Sequence, residues 1–168
     1  RGFARKEKPN VRPTPLNPLV REAVAMVASE LRYAGVHLEF ELLESLPDVM
    51  VDGVQIEQVL VNLVRNAIDS MAETDAPARR LTLRTETMSG ALARVSVIDA
   101  GCGIPADVRS RIFDAFFTTK PDGLGMGLPI CQSIIQGHGG NLTIANNDGC
   151  RGAAVCFTLP LALGEMLE

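Results

Sequence analysis

Between Asp52 and Met71 the apolar residues Ile56, Val59, Leu60, Leu63, Ala67 and Ile68 recur three and four positions apart. That is the period of an α-helix, and it leaves one broad apolar stripe that has to be buried against another layer. The rest of the chain offers that layer. Leu16 to about Ala34 repeats helical spacing through Leu19, Val20, Ala23, Val24, Val27 and Leu31, and Gly35 ends it. Val36–Leu42 alternates apolar and polar residues as a half-buried strand does. Strands are also predicted over Arg80–Met88 and Leu92–Asp99, separated by Ser89-Gly90, and over Asn141–Asn146 and Ala153–Pro160. A helix is predicted from Gly127 to Gly137, and residues 101–123 read as glycine-rich and irregular. Helices and strands mix without strict βαβ alternation. The expected fold class is therefore α/β, a two-layer sandwich with a mixed, mostly antiparallel sheet and helices on one face.

At 168 residues the chain is the size of one domain. Only 4% of residues are aromatic, so the core has to rest on Leu, Ile, Val and Ala. A net charge of −4 argues against nucleic acid or an anionic membrane as main partner, and no apolar run approaches the length of a membrane span. The four cysteines lack CxxC spacing and the two histidines stand far apart, which argues against a zinc site; the cysteines read as buried thiols. Residues 1–15, with Pro9, Pro13, Pro15 and an Arg-Lys-Glu-Lys run, read as a linker or the end of an upstream helix. The abrupt Arg1-Gly2-Phe3 start looks like the middle of something longer.

Three features could carry chemistry. Gln58, Asn62, Asn66 and Asp69 form a narrow polar stripe on the long helix. Asn is a poor helix former, and two at i, i+4 offer carboxamide oxygens to Mg²⁺, or else face solvent. Alternation turns Asp99 inward at the end of its strand, just before Gly101 and Gly103, where it needs a donor. An adenine amino group is one donor and an Asx-type turn is the other reading. Last, Gly123-Leu124-Gly125-Met126-Gly127-Leu128-Pro129 leads into a helix, an arrangement that either presents N–H groups to an anion or is a flexible loop and a capped helix. Thr118, Thr119 and Lys120 lie just upstream. No GxxxxGK(S/T) loop, strand-linked GxGxxG, hydrolase elbow or protein-kinase motif set is present.

In this order, Asn62 with Asn66, then Asp99-Ala-Gly-Cys-Gly, then Phe113 with Phe116-Phe117, then Gly123-x-Gly-x-Gly resemble the N, G1, F and G2 boxes of the GHKL (Bergerat) ATPase superfamily. The blocks Ile112–Lys120 and Ser133–Gly140 make the resemblance closest to sensor histidine kinases of the nitrogen-regulatory and oxygen-sensing type, over roughly Leu16 to Pro160.

That resemblance implies a Bergerat fold over residues 16–168 that binds Mg·ATP and donates the γ-phosphoryl to a histidine on a separate dimerisation domain. Asn66 is similar to the family's Mg²⁺-binding Asn. Asn62 stands where hydrolytic relatives carry a water-activating Glu, a base that an amide cannot be. Asp99 matches the adenine-reading Asp, with Gly101, Gly103 and Ile104 against the base. Gly123, Leu124, Gly125, Met126, Gly127 and Leu128 match the phosphate-side lid and helix cap, beside Thr119 and Lys120. Thr158 resembles a polar residue near the adenine end. Asp69 replaces a phosphate-facing Lys, so Arg65 or Lys120 has to compensate. Neither His37 nor His138 has the sequence context of a phosphoacceptor. The implied partners are the kinase's own dimerisation domain and a response regulator, with no nucleic acid and no direct membrane contact. The expected setting is bacterial and cytoplasmic, the fragment monomeric, and the full-length kinase a homodimer open to membrane anchoring. A GHKL-type ATPase, an anti-sigma serine kinase and a nucleotide-sensing docking module are the alternatives.

Overall fold

The computed structural model describes residues 9–114, 127–147 and 151–162. In chain order its elements are β1 (Arg12–Thr14), α1 (Leu16–Met26), α2 (Ala28–Ala34), β2 (His37–Glu41), β3 (Val49–Val51), α3 (Gly53–Ser70), β4 (Arg80–Met88), β5 (Leu92–Asp99), α4 (Ala106–Arg109), α5 (Gly127–Gly137), β6 (Leu142–Asn146) and β7 (Ala153–Pro160). A 3₁₀ turn spans Ala76–Ala78.

The main sheet has the order β2-β4-β5-β7-β6. Only β2 and β4 run parallel; the other neighbours are antiparallel. Register decides what the helices meet. Leu83, Val97, Val155 and Ile144 stand side by side across four strands, and Thr85, Val95, Phe157 and Leu142 form the next row. These rows face α3 and α5, and burying such side chains contributes about 1.5–3 kcal/mol each. Asp99, opposite Leu81, ends the same inward set. The expected α/β sandwich with a mostly antiparallel sheet is what forms.

Two expectations change. The predicted helix from Leu16 to Ala34 is two helices, because Val27 leaves helical geometry at φ −114°, ψ 21° while remaining fully buried. Residues 12–14, read as linker, are instead strand β1, paired antiparallel with β3 so that Arg12, Pro13 and Thr14 face Val51, Met50 and Val49. Three residues centred on a proline carry no readable alternation, and only the partner strand reveals them. Beyond the helices, Arg79 ties the layers together: its guanidinium donates to the carbonyls of Ala34, Ala72 and Thr74, joining the ends of α2 and α3.

Candidate functional site

Helix α3 starts at Asp52, whose Oδ1 accepts from the N–H groups of Val54 (3.1 Å) and Gln55 (3.4 Å). This N-cap satisfies donors that the first turn leaves open. One face of α3 packs on the sheet and α1; α5 lies along another. Three contacts set the direction of α5. The Asp52 N–H donates to His138 Nε2 (3.1 Å), the Cys131 thiol points at the Val59 carbonyl (4.0 Å), and Asn62 Nδ2 lies 3.8 Å from Cys131 Sγ. Numbers rise on one helix as they fall on the other, so the pair is antiparallel. Four residues further along each, Asn66 and Gly127 come level at the same helical rise. The positive end of the α5 dipole therefore stands beside the half-buried Asn66. A Cβ on Gly127 would touch nothing within 4 Å among the described residues.

Asp99 is 7% exposed at the end of β5. Its Oδ1 accepts from the N–H groups of Gly101 (2.8 Å) and Ala153 (3.2 Å). Burial pushes its pKa above the ordinary carboxylate value; those two N–H bonds and the Ser70 hydroxyl act in the other direction. Ser70 is the residue four beyond Asn66 on α3. Asn62, Asn66 and Ser70 thus lead along one helix to a buried carboxylate.

The glycines of the Asp99-Ala-Gly-Cys-Gly loop serve the chain itself. A side chain on Gly101 would collide with the backbone and hydroxyl of Ser70 at the end of α3. Gly103 adopts φ +79°, where an L side chain is strained, and packs against Asn146. At Gly101 the missing side chain makes room for Ser70. Ile104 is held in peptide-like fashion by Asn146, whose Oδ1 accepts from its N–H (2.7 Å) and whose Nδ2 donates to its carbonyl (3.0 Å). Asn147 Nδ2 donates to the Asp99 carbonyl (2.9 Å). An open cavity of about 420 Å³ touches Cys102, Gly103, Ile104 and Arg151, and does not include Asp99 or Asn66.

Two expected site residues stand elsewhere. Arg65 turns to α2 and pairs with Glu30 through Nε (3.1 Å) and Nη2 (3.3 Å), because its position on α3 is offset from the asparagine stripe. Thr158 lies opposite Arg94, whereas the β7 residues beside Ile98 and Asp99 are Ala154 and Ala153. Its hydroxyl accepts from the Asn141 N–H (3.0 Å), so it ties β7 to the residue before β6 at the other end of the strand. Thr119, Lys120, Gly123, Leu124, Gly125 and Met126 lie outside the described residues, as do Phe116, Phe117 and Thr118. Leu128 is half-buried against the core.

Sequence reasoning missed Ser70, Asn146, Asn147, Gly152 and the role of His138. A side chain on Gly152, at φ +108°, would collide with the Asp99 carbonyl, so this glycine lets β7 pass the end of β5. The Asn146-Asn147 doublet at the end of a strand is the one local signal for this cluster.

Comparison with known proteins gives a consistent picture. The family described as histidine kinase-, DNA gyrase B-, and HSP90-like ATPase matches residues 51–163. The sensor protein FixL of Bradyrhizobium diazoefficiens is 39% identical over 162 residues, 96% of this chain and 32% of FixL. The catalytic domain of the histidine kinase ThkA superimposes with a TM-score of 0.80 at 34% identity, over 90% of this chain and 96% of that one. Full-length ShkA in complex with AMPPNP gives 0.81 at 27% identity, over 93% of this chain and 32% of ShkA. The chain spans between 17% and 32% of the length of the curated relatives it matches.

Proposed function

Because the chain belongs to the histidine kinase-, DNA gyrase B- and HSP90-like ATPase family, we propose that it binds Mg·ATP and donates the γ-phosphoryl to a histidine on the dimerisation domain of a sensor kinase. The observation that carries this is the line from Gly127 and Asn66 past Ser70 to the buried Asp99. One end offers a helix N-terminus and a carboxamide, which suit phosphate and a hard cation. The other offers a buried carboxylate, which suits an amino group on a flat ring.

In this reading Asp99 accepts from the adenine amino group, and Asn66 offers its oxygen to Mg²⁺. The metal, when bound, supplies charge neutralisation at the phosphates. Thr119, Lys120, Gly123, Leu124, Gly125, Met126 and Gly127 are assigned to the phosphate side. Asn62 is held by Cys131 and carries no basic group, so it cannot activate water, which favours transfer to protein over hydrolysis. Catalysis is then positioning and charge stabilisation, with the nucleophile supplied in trans.

His37 and His138 are not acceptors in this reading. Both ring nitrogens of His138 are engaged inside the fold. The partners are the dimerisation domain and a response regulator, and the working setting is a bacterial cytoplasm. Among the described residues no helix is long and apolar enough to cross a membrane.

The test is transfer from radiolabelled Mg·ATP. Alone, the chain should take up almost no label and turn ATP over slowly. With the cognate dimerisation domain added, label should appear on that domain in an acid-labile, base-stable bond. Rapid hydrolysis by the chain alone would point to a GHKL-type ATPase instead, and acid-stable label on a partner serine to an anti-sigma kinase.

A further inference from the structure

We propose that His138 is a positioning residue that sets the spacing of α3 and α5, and through it the affinity of the Asn66–Gly127 end for Mg·ATP; this rests on the nucleotide-binding reading above. His138 follows the last residue of α5 and is 7% exposed. Its Nδ1 lies 2.8 Å from the Ile134 carbonyl oxygen, and its Nε2 lies 3.1 Å from the Asp52 amide nitrogen. A carbonyl only accepts and an amide N–H only donates. The imidazole is therefore neutral with its proton on Nδ1, and it can serve both partners in that tautomer alone. One bond closes the end of its own helix; the other reaches across to α3.

The residue it reaches is itself fixed on several sides. Asp52 caps α3 through Oδ1, accepts the Asn10 N–H on Oδ2 (2.9 Å), and immediately follows β3. His138 thus fastens the C-terminal end of α5 to a rigid point. Halfway along, the helices meet through a thiol at 3.8 and 4.0 Å, contacts much weaker than the imidazole bond. Of these three contacts the strongest is the one most remote from Asn66.

That arrangement makes a lever. Asp52 and Asn66 are fourteen residues apart on α3, about 21 Å at the rise of an α-helix. A tilt of roughly 3° at the pinned end moves the far end by about 1 Å, a displacement large enough to degrade a positioned site about a hundredfold. Contacts between side chains at the far end are not needed for this effect.

Two isosteric substitutions separate the two bonds of the ring. In His138→Gln the amide oxygen takes the place of Nε2 and still accepts from Asp52, while the bond to Ile134 is lost. In His138→Asn the amide nitrogen takes the place of Nδ1 and still donates to Ile134, while Asp52 is out of reach. Calorimetry with Mg·ATP, beside thermal midpoints for all three proteins, reads the outcome. His138→Asn should weaken binding about tenfold, within the range typical of coupled sites, and His138→Gln should stay within about threefold of the wild type. Equal affinities in all three proteins, or tighter binding by His138→Asn than by His138→Gln, would overturn the positioning role. Absence of Mg·ATP binding by the wild type would overturn the nucleotide reading and this inference with it.

Discussion

The carboxamide Nδ2 of Asn62 lies 3.8 Å from the sulfur of Cys131, so a polar residue of α3 is met across the helix interface by a thiol. Burial pushes that thiol up to about 11, and the Asn62 contact acts in the other direction. Cys131 stays protonated, and its proton is directed at the Val59 carbonyl. It is a small apolar filler with one weak donor, a different object from the exposed Cys102 in the loop after β5.

Thiol labelling of the folded protein near pH 8 should therefore modify Cys102 and spare Cys131, since the thiolate is the reactive form. Peptide mass spectrometry resolves the two. Equal labelling without denaturant would mean that the α3–α5 interface opens.

Asn66→Ala should weaken nucleotide binding mainly when Mg²⁺ is present, because the lost oxygen serves the metal. A loss of about tenfold or more with Mg²⁺, and little without it, is expected from one missing ligand to a charged group. Titrations with and without EDTA decide; equal losses would remove Asn66 from the metal.

Asp99→Asn should separate stability from binding. The folded-state pKa of Asp99 is raised, so its favourable contribution is complete only below the ordinary 3.8 and is lost as pH rises through the raised value. At neutral pH the ionised carboxylate is thus a cost to the empty fold. An amide oxygen can still accept from Gly101 and Ala153, so the thermal midpoint of the variant should not fall. ATP affinity should drop at least about tenfold, or about 1.4 kcal/mol. In the wild type GTP should bind at least roughly tenfold more weakly than ATP, since an acceptor oxygen would then face the carboxylate.

Asp52 has the opposite sign. Its pKa lies below the ordinary value, chiefly through the Asn10 N–H, with the Gln55 and Val54 N–H groups adding and burial opposing. The stability it contributes is complete above about 3.8 and is lost as pH falls through the lower folded value. Asp52→Asn keeps a capping oxygen but loses the Oδ2 acceptor of the Asn10 N–H and the charge, which at a helix N-terminus is worth about 0.3–1 kcal/mol. Denaturation curves should show a deficit of at least that size at pH 7 that shrinks as pH falls through the folded value below 3.8. A deficit that grows in acid would contradict the assignment.

Gly140→Ala should destabilise the fold by more than roughly 2 kcal/mol, because the new Cβ would collide with the Thr158 carbonyl and one strand has to give way. A midpoint within error of the wild type would show that β6 and β7 can separate there.

Much of this was legible in the chain because it is periodic. β4, β5, α5 and β7 lie where alternation and helical spacing placed them, since each buries one face against a neighbour of the same kind. Asp99 pointed inward for the same reason. What could not be read is pairing between distant segments. β1 exists only through β3, and Arg65 looked available until Glu30 on α2 took it. Thr158 stands at the end of β7 away from Asp99, because register depends on where the preceding loop returns. Gly101 and Gly152 look like permissive loop glycines, yet each is required by a backbone segment far away in sequence.

The short strand β3 has one more consequence. Thr14 pairs with Val49 on one side, and Leu161 bridges Val49 on the other, with the Ala162 N–H donating to Asp48. The first and last described strands thus flank the same residue, roughly 10 Å apart at two interstrand spacings. Both are antiparallel to β3 and therefore parallel to each other, so the chain enters at Arg12 beside Val51 and leaves past Leu161 beside Val49, in opposite directions along β3. A circular permutant opened at an exposed loop such as Ser89–Ala91 therefore needs a linker long enough to turn back along β3.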